Sequence, residues 1–182
     1  TAMRHSSWTA ENIGFESNER LEFLGDSVIG FVVADTMYRR YPDFDEGKLT
    51  DLRKIVVNMN ALSRVATQLG LGEFILLGRG EEAGGGREKT SILANALEAV
   101  FAAVYLDSDA LSAYALVRSL LSESIDEALA ALKQLDAKSQ LQELCSRLDN
   151  PMPEYRVTDE GPDHAKTFYA AVYIGNDWMG AG

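Results

Sequence analysis

The residues of this chain that could do chemistry begin with three carboxylates in the stretch NERLEFLGDSV, residues 18–28. On a helix, the spacing of Glu19, Glu22 and Asp26 places all three along one stripe. The strongly apolar run IGFVVADTMY follows at once, which predicts that the same helix packs into a protein core. Three like charges on a helix that is about to be buried repel one another. The pattern therefore requires either solvent or a bound cation beside that stripe.

A second segment, SILANALEAVFAAVYLD at residues 91–107, places oxygen atoms on an otherwise apolar helix. Asn95 and Glu98 stand three residues apart and share a face. A helix that is apolar on nearly every side is expected to be buried. A buried carboxylate is costly unless it is paired or binds a metal ion, so Glu98 needs a partner.

Two interpretations of these side chains remain open from the residues alone. If the two helices pack face to face, Glu22, Asp26, Asn95 and Glu98 form an oxygen-only pocket, which suits Mg²⁺ or Mn²⁺. Alternatively, the carboxylates are solvated helix faces paired with nearby arginine or lysine side chains. The second interpretation fits Glu98 less well, because its own helix offers no polar face.

Other chemistries find little support in the sequence. The only histidines are His5 and His164, too far apart in sequence to indicate a histidine-rich metal cluster. The single cysteine, Cys145, lies in LQELCSRL and is interpreted as a core residue rather than a nucleophile. The stretch RGEEAGGGREKT, residues 79–90, lacks the pattern of a phosphate-binding loop and predicts a flexible surface loop.

Composition narrows the class of protein further. The 182 residues suffice for one domain with a small second module, and 46% of them are hydrophobic. The formal net charge of −11 disfavours a nucleic-acid binder and favours a solvated acidic surface or cation sites, although a local basic strip stays possible. One free cysteine fits a reducing cytoplasm, and no membrane span or signal peptide is expected. The opening TAMRHSSW resembles the middle of a helix and suggests an N-terminal trim.

Periodicity predicts a mainly α chain with a small α+β region at its end. Helices are expected over 18–41, in two pieces between 43 and 72, over 91–107 and over 110–132. After a linker at 133–138, a short helix, SQLQELCSRL, precedes three strands, EYRVTDE, KTFYAAVYI and WMGAG, with turns at GPDH and GND. The predicted domains are 1–132 and 139–182.

The motifs now resemble those of a known family. NERLEFLGDSV is similar to the signature motif of the ribonuclease III family, and EGKLTDLRK and SILANALEAVFAAVYLD resemble its next two segments. The family usually carries Asp where Asn95 stands. DAKSQLQEL and PEYRVTDEGPDHAKTF resemble a double-stranded-RNA-binding domain of the kind that follows the nuclease domain in bacterial members. The resemblance covers almost the whole chain and implies an all-helical endonuclease domain followed by a small α-β-β-β module.

The resemblance implies a function and a set of roles. A homodimer with one Mg²⁺-dependent site per subunit (Mn²⁺ can substitute) would cut double-stranded RNA, including ribosomal and messenger RNA precursors, leaving 5′-phosphate and 3′-hydroxyl ends. Glu22, Asp26 and Glu98 match catalytic or metal-binding acids, and Asn95 takes the remaining ligand position. The resemblance also implies two acids near the site, Glu19 and Glu46. It implies that Phe23 inserts into the partner subunit; without the resemblance, Phe23 would be interpreted as a core residue.

In the second module, the resemblance assigns Gln140, Glu143 and His164 to RNA contacts; the alternative for His164 is a plain turn residue. Residues 137–182 hold four Lys or Arg against seven Asp or Glu, and the family's lysine-rich final helix is not seen, so we expect a chain that is incomplete at its C-terminus. Two functions stay open: an active double-strand-specific ribonuclease, or a dimer that binds duplex RNA and cuts it slowly or not at all because Asn95 replaces an acid. A helical scaffold without an RNA role is a more distant alternative.

Overall fold

The structure, a computed structural model, describes residues 1–162 and 165–182, without the side chains of residues 133–137. By contacts it divides into two compact units, Thr1–Leu129 and Ala130–Gly182. Its helices are α1 (Ser6–Glu11), α2 (Glu19–Arg40), α3 (Glu46–Val56), α4 (Met59–Gln68), α5 (Arg79–Ala83), α6 (Thr90–Asp107) and α7 (Ala110–Arg147). The strands are β1 (Pro153–Glu160), β2 (Thr167–Ile174) and β3 (Asp177–Ala181). The predicted fold class, a helical domain followed by a small sheet module, is confirmed.

Polar caps at the starts of α3 and α4, and a proline after α2, fix the helix ends. The carboxylate of Asp45 accepts a hydrogen bond from the backbone N–H of Lys48 at the start of α3, at 2.8 Å. Asn58 caps α4 in the same way, and each cap satisfies a backbone donor that would otherwise lack a partner. Helix α2 ends at Arg40, two residues before Pro42, which cannot continue a helix.

Helix α6 lies at the centre of the first unit, where it packs mainly against α2 and α4. Its length and composition would allow it to cross a membrane. A buried core helix passes the same test, and Leu97, Phe101 and Ala102 of α6 are fully buried. Small residues on α6, among them Ala96 and Ala99, let the neighbouring helices approach closely. Helix α6 is therefore the core helix that positions Asn95 and Glu98.

The stretch 79–90, which we predicted to be a flexible loop, is instead structured. It contains helix α5 and a 3₁₀ turn at Gly86–Glu88. The guanidinium of Arg87 donates hydrogen bonds to the backbone carbonyls of Gly72 and Ile75 and to the carboxylate of Glu82. These hydrogen bonds give partners to backbone carbonyls and connect the segment to the preceding turn. The high glycine content suggested flexibility because it does not show these contacts.

Helix α7 runs without a break where we predicted two helices joined by a linker at 133–138. The sequence KQLDAK contains no glycine or proline, so nothing in it ends a helix. The predicted domain limits, 1–132 and 139–182, stay a prediction.

The second unit carries the three predicted strands as one antiparallel sheet in the order β1-β2-β3. Tyr155 pairs with Val172, and Tyr173 pairs with Trp178 next to an irregularity in the register between Val172 and Tyr173. Gly161, at a φ of 104°, begins the connection between β1 and β2, a conformation that glycine adopts at little cost. Among the described residues of this unit, Cys145 is the one hydrophobic residue that is fully buried.

Candidate active site

The site is created by an unusually close contact between α2 and α6 at Gly25. A Cβ atom at this position would lie 1.9 Å from the backbone oxygen of Glu98 and 2.4 Å from its carbonyl carbon. No residue larger than glycine fits there without moving one of the helices. The contact places Asp26, the next residue of α2, beside the turn of α6 that carries Glu98.

The predicted metal ligands meet at this contact. The side chain of Glu22 is hydrogen-bonded to that of Asn95, and Glu98 interacts electrostatically with Asp26 and Glu22. Asn95 and Glu98 are half-buried on α6, whereas Asp26 is exposed. Two helices that are far apart in sequence thus place three carboxylates and one amide near one another; that these side chains bind a metal ion stays a prediction.

Burial and like charges make the cluster electrostatically strained. Burial, followed by the charges of Asp26 and then Glu22, raises the pKa of Glu98 from 4.5 to about 7. The pKa of Glu22 is also raised, mainly by burial and secondly by the charge of Glu19, while the hydrogen bond from Asn95 opposes that rise. Near neutral pH, a substantial fraction of Glu98 would therefore be protonated unless a positive charge compensated it.

No positive side chain supplies that compensation in the part of the chain that the structure describes. The ion pairs found there join other residues, and none includes Glu22, Asp26 or Glu98. The same residues also include no group of three or more acidic, histidine or cysteine side chains gathered tightly enough to form a ready metal cluster. The carboxylates are thus near enough to interact but are not drawn onto one point. The donor set fits a hard divalent cation, because every side chain in it offers oxygen.

The two predicted near-site acids have different locations. Glu19 is close enough to Glu22 to raise its pKa and accepts a hydrogen bond from the hydroxyl of Ser17 at 2.6 Å. Glu46 stands at the start of α3 and lines a groove together with Asp35 of α2. Asp35 lies nine residues beyond Asp26 on the same helix, about 13 Å along its axis. Within one chain, the structure therefore does not bring Glu46 to the acidic cluster.

Phe23 is not a core residue, because 78% of its surface is exposed. Phe31 and Tyr38, further along α2, are similarly exposed at 67% and 72%. Gly30 and Ala34 lie between these aromatic residues on the same side of the helix. We call this side of α2 the aromatic face. An exposed apolar strip of this kind is typical of an interaction surface.

The predicted RNA contacts of the second unit are partly described. Gln140 and Glu143 are exposed on α7 and stand three residues apart, so they share a helix face. The prediction for His164 lies outside the described residues. Cys145 is a buried free thiol, as its interpretation as a core residue requires.

Comparison with known proteins decides the family. Residues 1–125 match the model of the family described as ribonuclease-III-like, and residues 137–182 match that of the double-stranded RNA binding motif. The chain belongs to the ribonuclease III family. The match to the first model covers more than half of the chain and includes both α2 and α6, on which the acidic cluster lies.

Family relatives extend over the whole chain. It is 51% identical over 181 residues to a protein named Ribonuclease 3 from Thermobifida fusca, covering 100% of this chain and 75% of that protein. It is 52% identical to Ribonuclease 3 of Streptomyces coelicolor, covering 100% of this chain and 66% of that protein. The nuclease domain of ribonuclease III from Campylobacter jejuni has a similar fold, with a TM-score of 0.59 and 35% identity over 70% of this chain and 83% of that one. That nuclease domain is described as structurally flexible in a region involved in dimer formation.

One residue that positions the site, Gly25, was not predicted from the sequence. Gly25 lies inside the signature stretch, where its only visible signal was a glycine in the middle of an amphipathic helix. Such a glycine costs about 1 kcal/mol relative to alanine, so a close packing contact is the usual reason to keep it. The structure supplies that contact as the backbone of Glu98.

Proposed function

We propose that this chain is a divalent-metal-dependent endoribonuclease that cleaves double-stranded RNA as a homodimer. The observation that carries the proposal is Glu98, a half-buried carboxylate that faces two further carboxylates without a positive side chain among the described residues. The family membership and the RNA-binding motif of residues 137–182 indicate the substrate class. Processing of ribosomal and messenger RNA precursors in the cytoplasm would be the biological setting.

Glu22, Asp26, Asn95 and Glu98 would hold Mg²⁺, or Mn²⁺ in its place. When bound, the ion would polarise the scissile phosphodiester and lower the pKa of a water molecule near it. The chain's own residues have distinct tasks in this scheme. Asp26 is exposed and can reach a substrate, whereas Glu98 is half-buried in surroundings of low polarity, where its attraction to a bound cation would be strong. Asn95 orients Glu22 through their hydrogen bond.

A carboxylate that accepts a proton from the attacking water must be ionised and within hydrogen-bond reach of it. Asp26 and Glu98 are the candidates for that role. The expected products carry 5′-phosphate and 3′-hydroxyl ends, because water attacks the phosphorus and the 3′ oxygen leaves. The cluster on its own contains no lysine or arginine to contact RNA, so cations that neutralise its charge would also allow phosphate to approach.

The aromatic face of α2 supports dimer formation. Phe31 and Tyr38 line an apolar groove between α2 and α3, which begins about two turns beyond Phe23 along α2 and extends to about four turns beyond it. If two α2 helices cross antiparallel about a two-fold axis near Gly30, the partner subunit's Phe23 would enter this groove. Such an interface is self-complementary, as two-fold symmetry requires. The same arrangement would carry the partner's Glu46 toward the acidic cluster, which Glu46 does not reach within its own chain.

A second candidate function is duplex binding with weak or no cleavage. It is favoured by Asn95. The hydrogen bond from its amide stabilises the ionised form of Glu22, and Asn95 brings one negative charge fewer than the Asp that the family usually carries. Less negative charge weakens the attraction for a divalent cation.

Cleavage of a long RNA duplex as a function of Mg²⁺ concentration, with the product ends mapped, separates these candidates. Metal-dependent cutting to 5′-phosphate and 3′-hydroxyl ends supports the nuclease. A shifted band on a native gel without cutting at any Mg²⁺ concentration supports the binding protein. Neither cutting nor binding would contradict both.

A further inference from the structure

A polar groove between α2 and α7 lies outside the acidic cluster. The side chains that line it include two arginines and several hydroxyls: Thr36 and Arg40 of α2, and Tyr114, Arg118, Ser119 and Ser122 of α7. No carboxylate is among its lining residues. In a protein of net charge −11, the lining of this groove is rich in hydrogen-bond donors, although Arg40 is paired with the neighbouring Asp126.

Arg118 is held in place and keeps its donors available. Its guanidinium lies 5.8 Å from the ring centre of Tyr114. The hydroxyl of Tyr114 donates a 2.6 Å hydrogen bond to Asp35, and the same carboxylate accepts from Arg39 at 2.9 Å. Asp35 is thus occupied by two other donors. Among the described residues Arg118 makes no ion pair, and its interaction with Asp35 is a longer-range electrostatic one.

One buried hydroxyl without a partner, that of Thr36, belongs to the lining of this groove. Thr36 Oγ1 and the Tyr41 hydroxyl are the buried side-chain polar atoms of the described residues that have no hydrogen-bond partner. Thr36 lines the groove, and the guanidinium of Arg40 lies 5.5 Å from the ring centre of Tyr41. The hydroxyl of Thr36 therefore adds a hydrogen-bond donor beside the arginines of the groove, where buried polar groups are expected to find a partner.

We propose that this groove binds a phosphate group. Arginine presents a planar fork of donors that matches phosphate oxygens, and serine and threonine hydroxyls add further donors. Arg40 is already paired with Asp126, which leaves Arg118 as the principal anchor. The phosphate could belong to the backbone of an RNA duplex or to a free phosphorylated molecule, because the recognition chemistry is the same. Only the assignment to RNA rests on the proposed nuclease function.

The groove is a separate site from the acidic cluster. Asp26 and Arg40 are 14 residues apart on α2, which corresponds to about 21 Å along the helix axis. Thr36 and Arg40 are four residues apart and share a side of α2 that differs from the aromatic face. A duplex engaged at the cluster could therefore contact the groove without displacing a dimer partner from Phe31 and Tyr38.

The first experiment uses inorganic phosphate as the probe. Titration of the metal-free full chain is followed by ³¹P line broadening and by the melting temperature, with chloride at matched ionic strength as the reference. We expect broadening and a higher melting temperature, because a ligand that binds only the folded state stabilises it. Arg118→Gln should abolish both effects, and Arg118→Lys should keep part of them. Arg64→Gln, which removes an exposed arginine on α4, should behave like the parent chain.

The second experiment asks whether the phosphate comes from RNA. Duplex binding in chelator, measured against salt concentration, should show a logarithmic slope smaller by about 1 for Arg118→Gln, since one phosphate contact is lost. Arg64→Gln should leave the slope unchanged.

The outcomes are distinct. Loss of both the phosphate effect and part of the slope supports an RNA-backbone contact. Loss of the phosphate effect alone supports a site for a free phosphorylated ligand and leaves the nuclease proposal intact. If the parent chain shows neither broadening nor stabilisation with phosphate, and Arg118→Gln binds duplex with the parental salt slope, the groove is not a phosphate site.

Discussion

The two units of this chain handle burial in opposite ways. In the first unit, Thr1–Leu129, a central helix is surrounded by others, and the carboxylate of Glu98 is partly buried beside the core residue Leu97. In the second unit, Ala130–Gly182, Val157 and Phe168 remain more than half exposed, and backbone pairing defines the sheet. In the first unit, tight helix packing sets the environment of the acidic cluster. In the second unit, the exposed side chains of the sheet are available for contacts with other molecules.

The largest expected effect is on cleavage and comes from Glu98→Gln, which keeps the size of the side chain and removes its charge. We expect cleavage of a long duplex to fall by orders of magnitude while duplex binding changes only a few-fold, because the second unit is untouched. Single-turnover cleavage and native gels measure the two effects. Glu127→Gln, an exposed carboxylate on α7, serves as the control. A cleavage rate close to that of the parent would rule out Glu98 as a ligand.

The next effect concerns stability and comes from Gly25→Ala. The new methyl group would meet the backbone of Glu98 at 1.9 Å, so α2 and α6 must separate, at a cost of about 3 kcal/mol. Gly30→Ala is a matched control on the same helix, since nothing lies within 4 Å of a Cβ there. Chemical unfolding followed by circular dichroism should show the first unit destabilised only in Gly25→Ala. Equal stabilities would mean that the close approach is not maintained in solution.

A smaller effect is expected on assembly. Phe23→Ala removes an aromatic side chain that is 78% exposed in the single chain, and it should weaken dimer formation by about 2 kcal/mol. Analytical ultracentrifugation at several concentrations measures the monomer fraction. Phe168→Ala, which removes an exposed aromatic of the second unit, should not change it. An unaltered dimer in Phe23→Ala would move the interface elsewhere.

Asn95→Asp adds one negative charge to the acidic cluster and should change both the Mg²⁺ requirement and the stability moderately. The added carboxylate should lower the Mg²⁺ concentration for half-maximal cleavage, because it adds a charged ligand. It should also reduce the melting temperature in chelator, because it adds a like charge beside Glu22. Asn60→Asp adds the same charge at an exposed position of α4 and controls for net charge. Superimposable Mg²⁺ titrations would place residue 95 outside the metal site. If only Asn95→Asp cuts RNA, the chain as it stands is a binding protein.

The smallest effect is a pH dependence of stability without metal. The pKa of Glu98 is about 7 in the folded chain, against its usual 4.5. Between these values the folded state binds more protons than the unfolded state, so the free energy of unfolding falls as pH rises. The stabilisation is fully present below pH 4.5 and is lost as pH rises through about 7. The free energy of unfolding, measured with urea in chelator, should fall less steeply with pH over this window in Glu98→Gln than in the parent chain. A slope identical to that of the parent would show that neither burial nor the neighbouring carboxylates raise the pKa of Glu98 in the folded chain.

Much of the fold and of the cluster could be predicted from the sequence, because periodicity and spacing are local properties. The positions of Glu22, Asp26, Asn95 and Glu98 on two apolar helices are set by the roughly 3.6-residue repeat of the α-helix. The strands were equally visible from their alternation and flanking turns. The error at 133–138 came from treating a change in composition as a break, although no residue there ends a helix.

Tertiary structure decided what depends on contacts between distant segments. Gly25 has its role because α6 passes over it. The stretch 79–90 is ordered in part because Arg87 donates hydrogen bonds to the carbonyls of Gly72 and Ile75. The exposure of Phe23 and the separation of Glu46 from the acidic cluster were also invisible in the sequence, because each depends on which side of a helix its neighbours cover. The sequence determined which side chains could share a helix face, and packing determined which faces met.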